Sequence, residues 1–263
     1  MGKTGISYLD KVWNPVTGCT KVSAGCAHCW AEAQERRFHG GFDVTLHPDR
    51  LDPTSSREHP EHWKKPVRIG VCFMGDLFHE DVPFDFIFRV FGVMYGNPDH
   101  TFMVLTKRPE RMAEFARWLL EKRDERGLSI YQWPPNVEAW TSIEDQASAD
   151  ERIPHLLRVV GPRVRGVSAE PMLGPVDLRW PMPFESPVPG EIWKPGAIDK
   201  INGVIVGCES GPGARPMDIT WVRSLRNQCQ AAGVAFYFKQ AMVDGKLVTH
   251  PLLDGREWKE LPK

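Results

Sequence analysis

Val67-Arg68-Ile69-Gly70-Val71-Cys72-Phe73-Met74-Gly75-Asp76 is a short apolar run, rich in β-branched residues, that stops at a glycine and an acid. Such a run is too short for a helix and reads as a strand with a polar motif at its end. The same pattern returns along the chain. Residues 101–105 stop at Thr106-Lys107-Arg108, 137–140 at Thr141-Ser142-Ile143-Glu144-Asp145, and 164–167 at Ser168-Ala169-Glu170-Pro171. Residues 203–206 stop at Gly207-Cys208-Glu209-Ser210, and 234–238 at Lys239-Gln240. Between them, 84–95, 110–126, 146–158 and 220–232 carry apolar residues at three- and four-residue spacing, the pattern of helices that cover a sheet. Strand and helix alternate, which calls for parallel strands and an α/β fold, closed as a barrel or opened as a doubly wound sheet. In either form the C-terminal ends of the strands share a rim where ligands bind, and the polar motifs all fall on that rim.

The chain has 263 residues, near the roughly 250 of one α/β barrel, so a single domain over 1–263 is expected. Two long connections, 39–66 and the Pro- and Gly-rich 173–201 with Trp180 and Trp193, interrupt the pattern. Loops of that length in a compact domain serve as lids or binding loops. Hydrophobic residues make up 41% and charged residues 25%, a composition that excludes general disorder. No stretch suits a membrane span and the start lacks the apolar run of a signal peptide, so a water-soluble, cytoplasmic protein with no membrane partner is expected. Lys plus Arg (33) nearly balance Asp plus Glu (34), so any contact with nucleic acid must come from a local patch.

Three of the six cysteines fall within eleven residues, Cys19, Cys26 and Cys29, while Cys72, Cys208 and Cys229 stand singly among apolar neighbours. The cluster reads as a metal site and the singles as core. Its spacing is C-x6-C-x2-C, after a short first strand and leading into a helix. Thiolates suit zinc or an iron–sulfur cluster, and three of them can grip three corners of a [4Fe–4S] cubane, leaving the fourth iron open to a chelating ligand. Zinc is the alternative, with His28 or His39 as fourth ligand.

The run Trp13-Asn14-Pro15-Val16-Thr17-Gly18-Cys19-Thr20-Lys21-Val22-Ser23, followed by Gly25-Cys26-Ala27-His28-Cys29-Trp30-Ala31-Glu32, closely resembles the phage and bacterial family named after gene products 37 and 68. Members of that family look like radical S-adenosylmethionine enzymes. The likeness extends to Phe-Met-Gly-Asp-Leu-Phe at 73–78, Leu-Thr-Lys-Arg-Pro at 105–109, Glu-Pro-Met-Leu-Gly at 170–174 and Gly-Cys-Glu-Ser-Gly at 207–211, and so covers most of the chain. It implies a partial or complete (β/α) barrel with outer helices, a [4Fe–4S] cluster on Cys19, Cys26 and Cys29, and S-adenosylmethionine on the open iron. Most members of that superfamily space the cysteines C-x3-C-x2-C, so the loop here is longer by three residues.

The resemblance also implies cofactor-binding roles. His28 takes the place of an aromatic residue that packs near the adenine. Gly75 and Asp76 stand where a turn receives the methionine amino group. Glu209 closes an adenine-supporting stretch that begins at Gly203. Ser168 and Glu170 are placed for the ribose or the methionine carboxylate, and Lys107 with Arg108 for carboxylate recognition. An electron donor such as flavodoxin or ferredoxin is implied as a partner. Arg36, Arg37, Lys64, Lys65, Lys107, Arg108 and Arg111, interleaved with Trp30, Trp63 and Phe78, form a candidate basic and aromatic mouth for a nucleotide or strand of nucleic acid. By resemblance the substrate is a modified thymine in phage DNA, an amino-acid adduct isomerised in the host cytoplasm. A small metabolite or a protein substrate, and a non-catalytic zinc-stabilised nucleic-acid-binding protein, are the competing readings.

Overall fold

The computed structural model describes residues 4–122, 131–179 and 197–263. Ten strands and five α-helices alternate along the described chain. The strands are β1 (Lys11–Trp13), β2 (Val16–Thr17), β3 (Thr45–Leu46), β4 (Arg68–Val71), β5 (Thr101–Thr106), β6 (Val137–Ile143), β7 (Arg165–Ala169), β8 (Gly203–Gly207), β9 (Ala235–Val243) and β10 (Lys246–Thr249). The helices are α1 (Trp30–His39), α2 (Phe84–Tyr95), α3 (Pro109–Glu121), α4 (Gln146–Leu157) and α5 (Ile219–Ala232). The main sheet has eight strands in the order β1-β4-β5-β6-β7-β8-β9-β10. Chain-order pairing of mostly parallel strands with intervening helices is the topology of a partial (β/α) barrel, as the resemblance implies.

The chain divides into two compact units: residues 1–22, 29–140 and 159–163, and residues 23–28, 141–158 and 164–263. In the first, β1 pairs in parallel with β4 (Trp13 opposite Val71) and β4 with β5 (Gly70 opposite Met103). The apolar stripe of α2 (Phe86, Ile87, Val90, Phe91, Met94) is buried, and Phe91 meets Phe115 of α3 and Trp133 with ring centroids 4.8 Å apart. The connection 39–66 is built rather than loose: β3 pairs antiparallel with β2, and short 3-10 turns cover Pro48–Leu51 and Pro60–His62.

In the second unit β7, β8 and β9 pair in parallel, with a register shift at Val206/Gly207. A capping box of Asp145 and Ser148 starts α4. The sequence reading stops the last strand at Phe238, but β9 runs to Val243 and turns back as antiparallel β10. Asp244 and Gly245, both at positive φ, make the tight turn. Of the proposed lid 173–201, residues 180–196 lie outside the described residues, Trp180 and Trp193 among them, as do 123–126 at the end of the expected third helix. No helix among the described residues is long and apolar enough to cross a membrane.

Candidate functional site

The cysteines divide as the sequence suggests. Cys19, Cys26 and Cys29 are partly exposed, while Cys72, Cys208 and Cys229 are buried. Burial pushes the Cys229 thiol up to about 12 and drives Cys72 and Cys208 upward as well. A thiol that resists ionisation is a poor metal ligand, so the three singles belong to the core and the loop thiols are the available donors.

In the first unit, close backbone contact sets the start of the loop. Gly18 N–H donates to the Met74 carbonyl (2.9 Å), and Cys19 N–H to the Phe42 carbonyl (3.1 Å). Gly18 sits at φ +81, and a Cβ there would lie 2.0 Å from the Asp43 carbonyl oxygen; a Cβ on Gly75 would lie 2.7 Å from the Gly18 oxygen. Both positions therefore exclude side chains. At Gly75 the close approach is made to the chain's own cysteine loop.

Asp76 directly follows Gly75. Its carboxylate is buried and accepts from Phe78 N–H (2.9 Å), Thr106 Oγ1 (2.7 and 2.9 Å), Lys107 N–H (3.3 Å) and Arg108 Nη1 (3.3 Å). Four donor groups fill the roughly four acceptor positions of a carboxylate. Asp76 is an organiser of the turn, and Lys107 meets it through its backbone.

Arg108 is the hub of this unit. Its Nε donates to Glu80 Oε2 (2.9 Å), Nη1 to Cys19 Sγ and Asp76 Oδ2 (3.3 Å each), and Nη2 to the Thr20 carbonyl (3.2 Å) and Thr20 Oγ1 (2.8 Å). His79 completes the network. Its Nδ1 accepts from Asp81 N–H (3.1 Å), which leaves the proton on Nε2, 2.8 Å from Thr20 Oγ1. Burial, with Arg108 nearby, holds His79 below the usual histidine range and hence neutral. Neither His79 nor Glu80 is singled out by the sequence, although both directly follow the Phe-Met-Gly-Asp-Leu-Phe motif. Behind the loop an open cleft of about 330 Å³ is lined by Thr17, Glu35, Phe42, Asp43, His47 and Arg50.

The second unit carries the middle of the cysteine loop. A 3-10 turn, Ala24–Cys26, packs against a buried ion pair in which Arg152 Nη1 donates to Glu144 Oε2 (2.8 Å), and Gly25 N–H donates to Glu144 Oε1 (3.4 Å). Arg215 reaches the Ala24 carbonyl through Nη2 (2.9 Å) and grips Glu209 through its backbone N–H and Nε (2.9 Å each) and a further Nη2 contact. Glu209 in turn takes His28 Nδ1 at 2.8 Å. The Arg215 hydrogen bonds hold the Glu209 carboxyl down at about 2, with His28 adding to the effect. His28 and Glu209, both placed by resemblance near an adenine, are thus bonded to each other through a ring that is 41% exposed.

The remaining expected residues lie along one strand end. Glu170 pairs with Lys239. Ser168 is buried, and its Oγ has no hydrogen-bond partner. A buried hydroxyl without a partner costs free energy unless a ligand supplies one, so Ser168 is the expected contact that the protein itself leaves open.

A family described as "Protein of unknown function (DUF5131)" has a model that matches residues 3–262. The chain belongs to the DUF5131 family. No curated protein matches it. Among solved structures, this DUF5131 chain is similar to spore photoproduct lyase. A mutant of that enzyme with bound AdoMet and dinucleoside spore photoproduct aligns over 82% of the DUF5131 chain and 60% of its own, at 10% identity and a TM-score of 0.44. A complex with dinucleoside spore photoproduct aligns over 60% and 44%, at 12% identity and a TM-score of 0.42. The DUF5131 chain thus spans about half the length of the structures that it matches. Among its described residues no group of three His, Cys, Asp or Glu side chains is arranged to hold one metal ion.

The basic and aromatic mouth is smaller than the sequence suggests. Phe78 is fully buried, Arg108 is committed to its network, and Arg111 donates to the Val82 carbonyl (2.8 Å) while covering the Phe84 ring at 4.5 Å. Exposed aromatics remain on α1, where Trp30 and Phe38 lie in the open and Arg37 covers the Phe38 ring at 5.4 Å.

Proposed function

We propose that this protein is a radical S-adenosylmethionine enzyme that holds a [4Fe–4S] cluster on Cys19, Cys26 and Cys29. The observation that carries the reading is the sorting of thiols: the three in the C-x6-C-x2-C loop are partly exposed, and the three outside it are buried with raised pKa. That donor set fits a cubane, which three thiolates hold while one iron stays open. When bound, the cluster supplies the electron that cleaves S-adenosylmethionine to a 5′-deoxyadenosyl radical.

The protein's own part is to position. Gly18 and Gly75 let the loop backbone lie flush, and the Arg108 and Arg215 networks brace its start and its middle. The unpartnered Ser168 hydroxyl supports a role in holding the ribose or carboxylate of the cofactor.

As substrate we propose a modified thymine in DNA bearing an amino-acid adduct, rearranged by the radical. The resemblance of the loop to the family of gene products 37 and 68 supports it. So do the exposed Trp30 and Phe38 and the arginines on α1, the helix that begins directly after Cys29. Exposed rings stack bases and arginines meet phosphates. The near balance of charge, net −1, favours a free nucleotide or small amino-acid derivative as the second reading.

Anaerobic reconstitution tests the core of this. The expected result is about four irons and four sulfides per chain, lost in each of Cys19→Ala, Cys26→Ala and Cys29→Ala, and release of 5′-deoxyadenosine on reduction with S-adenosylmethionine. Stoichiometric zinc without sulfide would sink it. Nucleoside mass spectrometry of phage DNA made with the wild-type or Cys26→Ala protein tests the substrate, and an identical set of bases would exclude DNA.

A further inference from the structure

We propose that Arg108 is a positioning residue that holds Cys19 through an N–H to sulfur hydrogen bond and raises the reduction potential of the cluster bound there. The inference rests on the cluster reading above and adds to it a residue that sets the cluster's electronics.

A guanidinium has five N–H donors, and at Arg108 all five are matched to acceptors. One meets Glu80, one Asp76, two Thr20, and one the Cys19 sulfur at 3.3 Å. Four of the five bonds therefore fix the plane and rotation of the group, and the fifth points at sulfur as a consequence. The anchors are themselves fixed: Asp76 by Thr106 and two backbone amides, Thr20 by His79. The Arg108 side chain is only 9% exposed, so water screens its field weakly.

Hydrogen bonds to cluster sulfurs and local net charge are two of the levers that set an iron–sulfur potential. Reduction adds an electron, and a donor N–H on a ligating sulfur stabilises the more negative state. Asp76 and Glu80 offset part of the arginine's charge, but the N–H dipole that faces sulfur has no opposing group among its bonds. Lysine cannot take the place of this group, because one ammonium has three donors and no planar fork.

The test uses the full chain, reconstituted anaerobically, as wild type, Arg108→Gln and Arg108→Lys. Iron and sulfide content is measured first, and the midpoint potential is then read by EPR during a dithionite titration. Both variants are expected to titrate at lower potential than wild type, with Arg108→Gln shifted further. Unchanged potentials in cluster-loaded variants overturn the assignment while leaving the cluster reading intact; a wild-type chain that binds no iron and sulfide overturns both. A second measurement covers variants that do not fold. Wild-type protein grown with ¹⁵N-arginine should show a ¹⁵N coupling to the reduced cluster in pulsed EPR, and its absence overturns the contact.

Discussion

Replacing Glu209 by glutamine should cost the protein stability in an amount that shrinks as the solution is made acid. Glu209 is buried, gripped by Arg215 and touched by His28, and its carboxyl is held at about 2 against an ordinary 4.5. Between these two values the unfolded chain binds a proton that the folded chain refuses, so acid favours unfolding. The stabilisation is therefore complete above about pH 4.5 and is lost as pH falls toward 2. At about 1.4 kcal/mol per tenfold change in acidity, the gap amounts to roughly 3 kcal/mol at pH 6, falling to roughly 2 kcal/mol at pH 3.5. Glutamine keeps the shape and one acceptor oxygen but carries no charge to lose. Urea unfolding followed by tryptophan fluorescence, on matched wild-type and Glu209→Gln preparations at pH 6, 4.5 and 3.5, gives the difference directly; other carboxylates titrate in both proteins and cancel. A difference that stays constant with pH, or a variant as stable as wild type at pH 6, would refute the assigned ion pair.

Three further outcomes follow from the same geometry. In cluster-free folded protein at pH 8, a small alkylating reagent should modify Cys19, Cys26 and Cys29 and spare Cys72, Cys208 and Cys229 until denaturant is added; peptide mass spectrometry reads the pattern, and early labelling of Cys72 contradicts its burial. Gly75→Ala, whose methyl would press on the Gly18 carbonyl oxygen, should lower the unfolding free energy by about 1–3 kcal/mol and reduce iron uptake, and a variant equal to wild type in both removes the close approach as a constraint. Arg152→Met strands the buried Glu144 carboxylate beside the Gly25 amide and should cost about 3–5 kcal/mol, measurable by chemical denaturation, whereas the double change with Glu144→Leu should recover much of the loss.

The alternation of strand and helix was legible because each apolar run had a polar stop, and α2 falls on the expected 84–95. The hairpin β9–β10 was not anticipated, although Asp244-Gly245 is a strong turn signal; the polar Lys239-Gln240 inside the strand looked like its end. The site was legible as a set of residues but not as bonds. The bonds of Asp76 were not legible because two of its donors, Thr106 and Arg108, lie some thirty positions away. His28 and Glu209 were both named, but nothing local pairs residues 181 positions apart or brings in Arg215. Ser168 stands among several rim residues, and only its buried, unpartnered hydroxyl distinguishes it from the buried Asp76 and Glu209.

The two braces of the cysteine loop also impose a timetable on synthesis. Arg108 follows Cys19 by 89 positions, and Arg215 follows Ala24 by 191. At about 5–20 residues per second, the ribosome needs roughly 4–18 seconds after Cys19 to make the first clamp and a little over twice that in all to reach the second. During that interval the three thiols emerge on a tether with neither anchor. They are open to stray zinc or copper, to oxidants and to one another. For a loop that holds the proposed cluster, delivery belongs after both arginines have been made, and slow translation, which lengthens the interval, should favour mismetallated protein.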